Sequence, residues 1–165
     1  MTYTPKQKAE WALGRYLSMR PRSEQEVRRY LDRTAGRYGV TPEDIESLIQ
    51  KYRHLGYIDD KKYVESMTHA ILDTKKRGPS ILRMKLTMAG VAPDLIAQSV
   101  AAISREQMVQ GMEKRLQKYR GKLSQLDHNV RSDKAFQILF SSGFSSSSIR
   151  PFLDEWLKKE YHTST

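Results

Sequence analysis

Apolar residues recur at spacings of three and four along almost the whole chain, and period-two alternation is nearly absent, so the pattern predicts helices and no strands. Ala9, Ala12, Leu13, Tyr16 and Leu17 mark a first helix, with Thr4-Pro5 as its cap and first helical residue. Ser23 stands three residues before Glu26, the capping-box spacing, and Val27, Tyr30 and Leu31 carry a second helix along one face. Thr41-Pro42 opens a third, with Asp44 in its first turn and Ile45, Leu48, Ile49 and Tyr52 on its apolar side; it stops before Gly56.

The same grammar then returns. Asp59 or Asp60 caps a helix bearing Tyr63, Val64, Met67, Ile71 and Leu72; Gly78-Pro79 opens one with Ile81, Leu82 and Leu86; Pro93 opens one with Leu95, Ile96, Val100 and Ile103. A third set carries Met108, Met112, Leu116 and Tyr119, then Ala135, Phe136, Leu139 and Phe140 after Ser132-Asp133, then Ile149, Phe152, Leu153, Trp156 and Leu157, with Ser147 or Ser148 as the last cap. "YGVTPEDI", "AGVAPDLI" and "SGFSSSSI" set glycine, an apolar residue, small or capping residues and isoleucine at matching offsets, the glycine standing where a helix ends in a left-handed turn.

Nine helices in three triplets follow. A single triplet buries little core, whereas stacked neighbours share apolar faces. The expected fold is therefore all-α, an elongated, curved array of three tandem three-helix, helix-turn-helix-like repeats at 1–58, 59–104 and 105–165. Leu31 and Val40 are nine residues apart but Leu86 and Val91 only five, so the first repeat carries a four-residue insertion near Gly36, expected as a longer surface loop. Trp11, Tyr30, Tyr52 and Tyr63 fall among aliphatic neighbours and are expected in the core; Tyr38 and Tyr119 are the candidates for exposed stacking. The seven methionines are expected to fill gaps on apolar faces.

Charge adds a direction to this picture. Among 165 residues, 29 Lys and Arg outnumber 19 Asp and Glu, for a formal +10 and a pI near 9.8, which favours anionic partners, nucleic acid first. Lys75, Lys76, Arg77, Arg83 and Lys85 occupy an acid-free stretch between Thr74 and Pro93. Lys114, Arg115, Lys118, Arg120 and Lys122 form a second patch, and Arg22, Arg28 and Arg29 a third on or just before the second helix. Patches in corresponding parts of successive repeats point to one long anionic ligand.

Catalytic chemistry finds little support. No cysteine is present, which excludes disulfides and thiolate-bound metals and fits a reducing compartment. His54, His69, His128 and His162 lack metal-ligand spacing, and neither a nucleophile elbow nor a phosphate loop occurs, so no catalytic residue, cofactor or metal is expected. Charges interrupt the N-terminal stretch, and no apolar run reaches the roughly 20 residues that span a bilayer, so a cytoplasmic chain with no membrane partner is expected. Adjacent carboxylates occur in "HLGYIDDKKYV", where a nuclease would use Asp59 and Asp60 with Mg²⁺. The stretch reads better as a joint: Gly56 ends one triplet, Tyr57 and Ile58 pack across the junction, and Asp59-Asp60 brings negative charge to the next helix start.

"RPRSEQEVRRYL", "LGYIDDKKYV" and "KRGPSILRMKLTMAGV" together resemble the RecX family of bacterial recombination regulators, over roughly residues 9 to 103. Ser23, Glu24, Glu26, Val27 and Leu31 match one family segment, Gly56, Tyr57, Ile58 and Asp59 a second, and Gly78, Pro79, Leu86 and Gly90 a third. The third triplet departs more, with the polar interval "RGKLSQLDHNVRSD" before its second helix. The resemblance implies a non-enzymatic protein that binds RecA recombinase and its filament on single-stranded DNA; a monomer is expected. It further implies inhibition of filament growth, ATP hydrolysis and strand exchange, and so modulation of recombination, DNA repair and the SOS response, with contact to single- or double-stranded DNA through a basic face. A helical protein acting directly and non-specifically on DNA is the alternative.

Overall fold

The computed structural model describes residues 3–162, with side chains through Lys159. The His162 side chain thus lies outside the described residues. Among them every regular element is helical, as the periodicity predicts: α1 (Pro5–Met19), α2 (Glu24–Tyr38), α3 (Pro42–His54), α4 (Asp60–Thr68), a π-helical segment (His69–Thr74), α5 (Pro79–Ala89), α6 (Pro93–Ala101), α7 (Arg105–Gln117), α8 (Arg120–Leu123), α9 (His128–Ser141) and α10 (Ser146–His162).

The chain forms two compact units. Unit 1 comprises Met1–Ser66 and Leu86–Ile96; unit 2 comprises Met67–Lys85 and Ala97–Thr165. In unit 1, Leu13, Val27, Leu31, Leu48, Ile49 and Ile58 build a closed core from α1, α2 and α3, with Tyr16, Tyr30 and Tyr52 against its margin. In unit 2, Met112, Leu116, Leu123, Leu139, Phe144, Ile149 and Leu153 form the core of α7 to α10.

Caps decide where these helices begin. Thr4, Ser23, Thr41 and Ser104 each accept from the N–H three residues on, and the side chain at that position returns the bond, so four helices start in complete capping boxes. The three matched motifs end the preceding helices alike: Gly39, Gly90 and Gly143 have φ of 70°, 77° and 94°. The next residue, Val40, Val91 or Phe144, is buried and donates its N–H to a carbonyl five residues back, on Ala35, Leu86 or Leu139. That is the Schellman pattern, and it needs a left-handed residue that only glycine adopts cheaply.

Several local expectations are corrected. The four-residue insertion is no loop: α2 runs unbroken to Tyr38, and four extra residues add about one turn and rotate the apolar face by only about 40°. The polar interval of the last triplet holds the short α8, and α9 starts at His128 rather than after Ser132-Asp133. Ser145, not Ser147 or Ser148, caps α10 by accepting from the Ser148 N–H at 3.3 Å. The fourth helix gives way to the π-helical segment before Ile71 and Leu72. Trp11 is 67 % exposed and Phe140 58 % exposed, so neither is core. Tyr38 and Tyr119 are part-buried against the two cores instead of standing free, and Met19, Met84 and Met88 are exposed. Tyr57 is likewise exposed; Ile58 alone of that pair is buried.

Candidate functional site

Asp59 and Asp60 are both occupied by backbone. Asp59 Oδ1 accepts from the N–H groups of Lys61 (2.9 Å) and Lys62 (3.2 Å), capping α4. Asp60 Oδ1 accepts from the Glu24 N–H at 2.9 Å, so this carboxylate satisfies a free donor in the first turn of α2. Burial raises the Asp60 pKa, and that bond only partly offsets it. Alongside, the Ser23 hydroxyl, fully buried, donates to the Ala89 carbonyl at 2.6 Å. The Glu24 carboxylate meets Arg53 at 2.7 Å. These groups tie three segments of unit 1 together. Among the described residues no group of three or more His, Asp or Glu is arranged to hold a metal ion.

Net charge divides sharply between the units. Unit 1 carries 13 Lys and Arg against 11 Asp and Glu, a net +2; unit 2 carries 16 against 8, a net +8. Counted along the sequence, every third is modestly positive, with 11 basic and 7 acidic groups in residues 1–58, 7 and 5 in 59–104, and 11 and 7 in 105–165. Folding sorts what the linear count spreads evenly.

The unit 1 candidates are engaged within the protein. Arg22 stacks on the Tyr16 ring at 3.9 Å, which itself stacks on Tyr30 with centroids 4.1 Å apart, and it lies 4.0 Å from Glu26. Arg28 pairs with Glu46 at 2.9 Å, and Arg29 donates to the Met88 carbonyl at 3.0 Å. Burial alone would push the Glu26 carboxyl up. The hydrogen bonds from Arg20 and the Ser23 N–H, with the charges of Arg20 and Arg22, outweigh that and hold it below the usual glutamate range.

In unit 2 most candidates point to solvent. The π-helical segment ends at Lys75, whose N–H reaches the Ala70 carbonyl, and Lys76 takes a left-handed φ of 53° with its ammonium on the Asp73 carbonyl. The chain thereby leaves helical geometry at Lys75-Lys76-Arg77 and re-enters it at Pro79. Arg77 leans on the Ser141 carbonyl at 3.4 Å. Gly78 donates to the Ser142 carbonyl (2.8 Å) and Ser80 to the Gly143 carbonyl (3.1 Å), so the first turn of α5 is satisfied by the α9–α10 turn. A Cβ on Gly78 would collide with the Gly143 backbone, which explains that glycine.

Arg83 and Lys85 follow on exposed positions of α5, with no side-chain partner in the described chain. Lys114 on α7 and Lys118, the residue that ends it, stand about one turn apart at exposed positions, followed by Lys122 on α8, also unpaired. Arg115 is turned inward instead, donating to Ser142 Oγ at 2.9 Å and lying over Tyr119. Arg120 is exposed and has a partner. Six candidates thus keep free charged ends: Lys75, Arg83, Lys85, Lys114, Lys118 and Lys122. Lys134 and Arg150 are also exposed and unpaired in the same unit; each stands apart from the runs of basic residues, so the sequence patches do not include them.

No helix among the described residues is long and apolar enough to cross a membrane. No protein-family model matches the chain. It is 32 % identical over 134 residues to the regulatory protein RecX of Staphylococcus carnosus, covering 79 % of this chain and 47 % of that one. It is 32 % identical over 153 residues to the regulatory protein RecX of Lactobacillus delbrueckii subsp. bulgaricus, covering 89 % and 53 %. The chain therefore spans about half the length of these relatives. Its fold is similar to the crystal structure of RecX from Lactobacillus salivarius, with a TM-score of 0.75 at 24 % identity over 92 % of this chain and 96 % of that one. A second crystal structure of a regulatory protein RecX gives 0.73 at 25 % identity, over 91 % and 72 %. Helical architecture, segment-by-segment sequence likeness and similarity to solved structures agree: the chain belongs to the RecX family.

Proposed function

We propose that the chain is a non-enzymatic cytoplasmic regulator that binds RecA recombinase and its nucleoprotein filament through the free cations of unit 2. It restrains filament growth, ATP hydrolysis and strand exchange, and through them recombination, repair and the SOS response. The observation that carries the location is the sorting of charge: net +8 in unit 2, with six candidate cations unpaired, against +2 in unit 1. The identity of the partner rests on family membership. Exposed, unpaired cations meet an anionic surface without first breaking an internal ion pair, whereas Arg28 would have to leave Glu46.

The three-triplet division at residues 58 and 104 is part of the same proposal. The second and third triplets, which hold the free cations, each supply a weak contact, and tethering raises the effective concentration of the other, so affinity exceeds that of either patch. The test is RecA filament ATPase activity titrated with wild type and with Arg83→Glu/Lys85→Glu. Weaker inhibition by the double variant, about tenfold in the concentration needed, is expected; equal inhibition removes α5 from the interface.

The alternative, direct and non-specific DNA binding, draws on the same +8. Binding to naked DNA then weakens steeply as salt rises, because each phosphate contact releases counterions. Co-sedimentation with RecA filaments at a salt concentration where bare DNA is not held separates the two readings.

A further inference from the structure

Unit 1 carries a second feature that the basic patches do not explain. The solvent side of α1 borders an open groove of about 1060 Å³, walled by the end of α2 and by Tyr52 of α3. Tyr3, Trp11, Gly14 and Ser18 run along it at spacings of three to eight residues, a stripe opposite the buried Ala9, Ala12 and Leu13. The stripe is about 20 Å long at 1.5 Å per helical residue. Trp11 and Tyr3 are both 67 % exposed, although a soluble helix ordinarily turns such rings inward.

The far wall is Arg37 and Tyr38, on the extra turn that distinguishes α2 from its counterparts. That turn adds little to the core. It does give the groove a side. The rim is positive: Lys8, Arg15 and Arg37 line it, while the one acid there, Glu10, is held by Lys51 at 2.5 Å.

We propose that this groove docks an acidic peptide segment with an apolar anchor. An extended peptide of about six residues matches the length of the stripe at roughly 3.3 Å per residue. The aromatic floor takes the anchor and the three cations take flanking carboxylates. Single-stranded nucleic acid is the weaker fit, because base stacking needs open ring faces: Arg15 already covers one face of Trp11 at 5.0 Å, and Arg37 lies over Tyr38 at 5.8 Å. Those guanidinium groups still present N–H edges to a carboxylate. The site is separate from the unit 2 cations, so it stands or falls independently of the function proposed above.

Trp11 reports on its own groove once Trp156, the other tryptophan, is replaced by Phe. The experiment titrates that Trp156→Phe protein, near physiological salt, with the octapeptide Glu-Asp-Glu-Leu-Phe-Glu-Asp-Glu, with its Lys-substituted counterpart, and with a short oligothymidylate. The acidic peptide is expected to shift Trp11 emission to the blue saturably, binding at least about tenfold more tightly than the basic one. Lys8→Glu/Arg37→Glu, both at exposed positions, is expected to weaken it by a similar factor. Gly14→Leu, which puts a side chain into the groove beside the Tyr52 hydroxyl while improving helix propensity, should abolish the shift. No saturable response to the acidic peptide, equal response to the basic one, or tighter binding of the oligothymidylate overturns the proposal. A concentration-dependent blue shift without ligand does so as well, by identifying a second copy of the chain as the occupant.

Discussion

The Ser23 side chain serves two elements of unit 1 at once. Its oxygen accepts from the Glu26 N–H at 3.1 Å as the cap of α2 and donates to the Ala89 carbonyl at 2.6 Å, all without solvent contact. Ser23→Ala removes the cap and leaves a buried carbonyl unsatisfied, a combined cost of about 2–3 kcal/mol, read as a lower urea midpoint. Glu26 sets an acid limb. Its carboxyl is depressed in the folded state, so its stabilisation is present above the unfolded pKa and is lost as pH falls through the folded one. Asp60 has the opposite sign, because a raised pKa favours folding as the proton binds. Between ~pH 5 and ~pH 3, wild type should therefore lose more stability than Glu26→Gln, which lacks the Glu26 contribution and keeps that of Asp60, as followed by urea titration at each pH.

At the scale of elements, α2 separates two glycines that look alike in sequence. Gly36 lies within the helix, and a Cβ there meets nothing within 4 Å; Gly39 ends it at φ 70°. Gly36→Ala should stabilise the protein by about 0.5–1 kcal/mol, whereas Gly39→Ala should destabilise it by about 1–2 kcal/mol, both measured by thermal or urea unfolding. The same pair shows what a linear reading captures. Caps are local, so Thr4, Ser23, Thr41 and the glycines of the three motifs are recognisable from a few neighbours. Whether "DRTAGRYG" is a loop or one more turn depends on what lies beneath it, and Leu31 and Ala35 continue an apolar face there that the glycine disguises. Trp11 is out of phase with Ala9, Ala12 and Leu13 on α1, so the period itself turns it to the opposite face; aliphatic neighbours in sequence do not make a residue core.

Across the whole molecule, charge is informative only after pairing is known. Arg28 and Glu46 are 18 residues apart in sequence, and Arg53 and Glu24 are 29 apart, so no local window identifies those cations as spoken for. The basic patches of the sequence accordingly combine free ends such as Lys118 with Arg22, which is packed on a tyrosine. A clear contrast follows. Lys114→Glu/Lys118→Glu should weaken binding to RecA filaments by about tenfold or more and flatten its salt dependence, leaving the unfolding midpoint nearly unchanged. Arg28→Glu should instead lower the unfolding midpoint slightly, through the broken pair and the new repulsion with Glu46, and leave filament affinity almost intact.

The return of Leu86–Ile96 to unit 1, after Met67–Lys85 has entered unit 2, carries a consequence for synthesis. The carbonyl that Ser23 needs belongs to Ala89, and the donors at the head of α5 wait for Ser142 and Gly143. An emerging polypeptide thus leaves the Ser23 hydroxyl without its acceptor until Ala89 has cleared the ribosome, and leaves the donors at the head of α5 open until Ser142 and Gly143 have followed. No single cut yields two self-sufficient halves, and a nascent chain stalled between those points exposes apolar surface for a chaperone to shield.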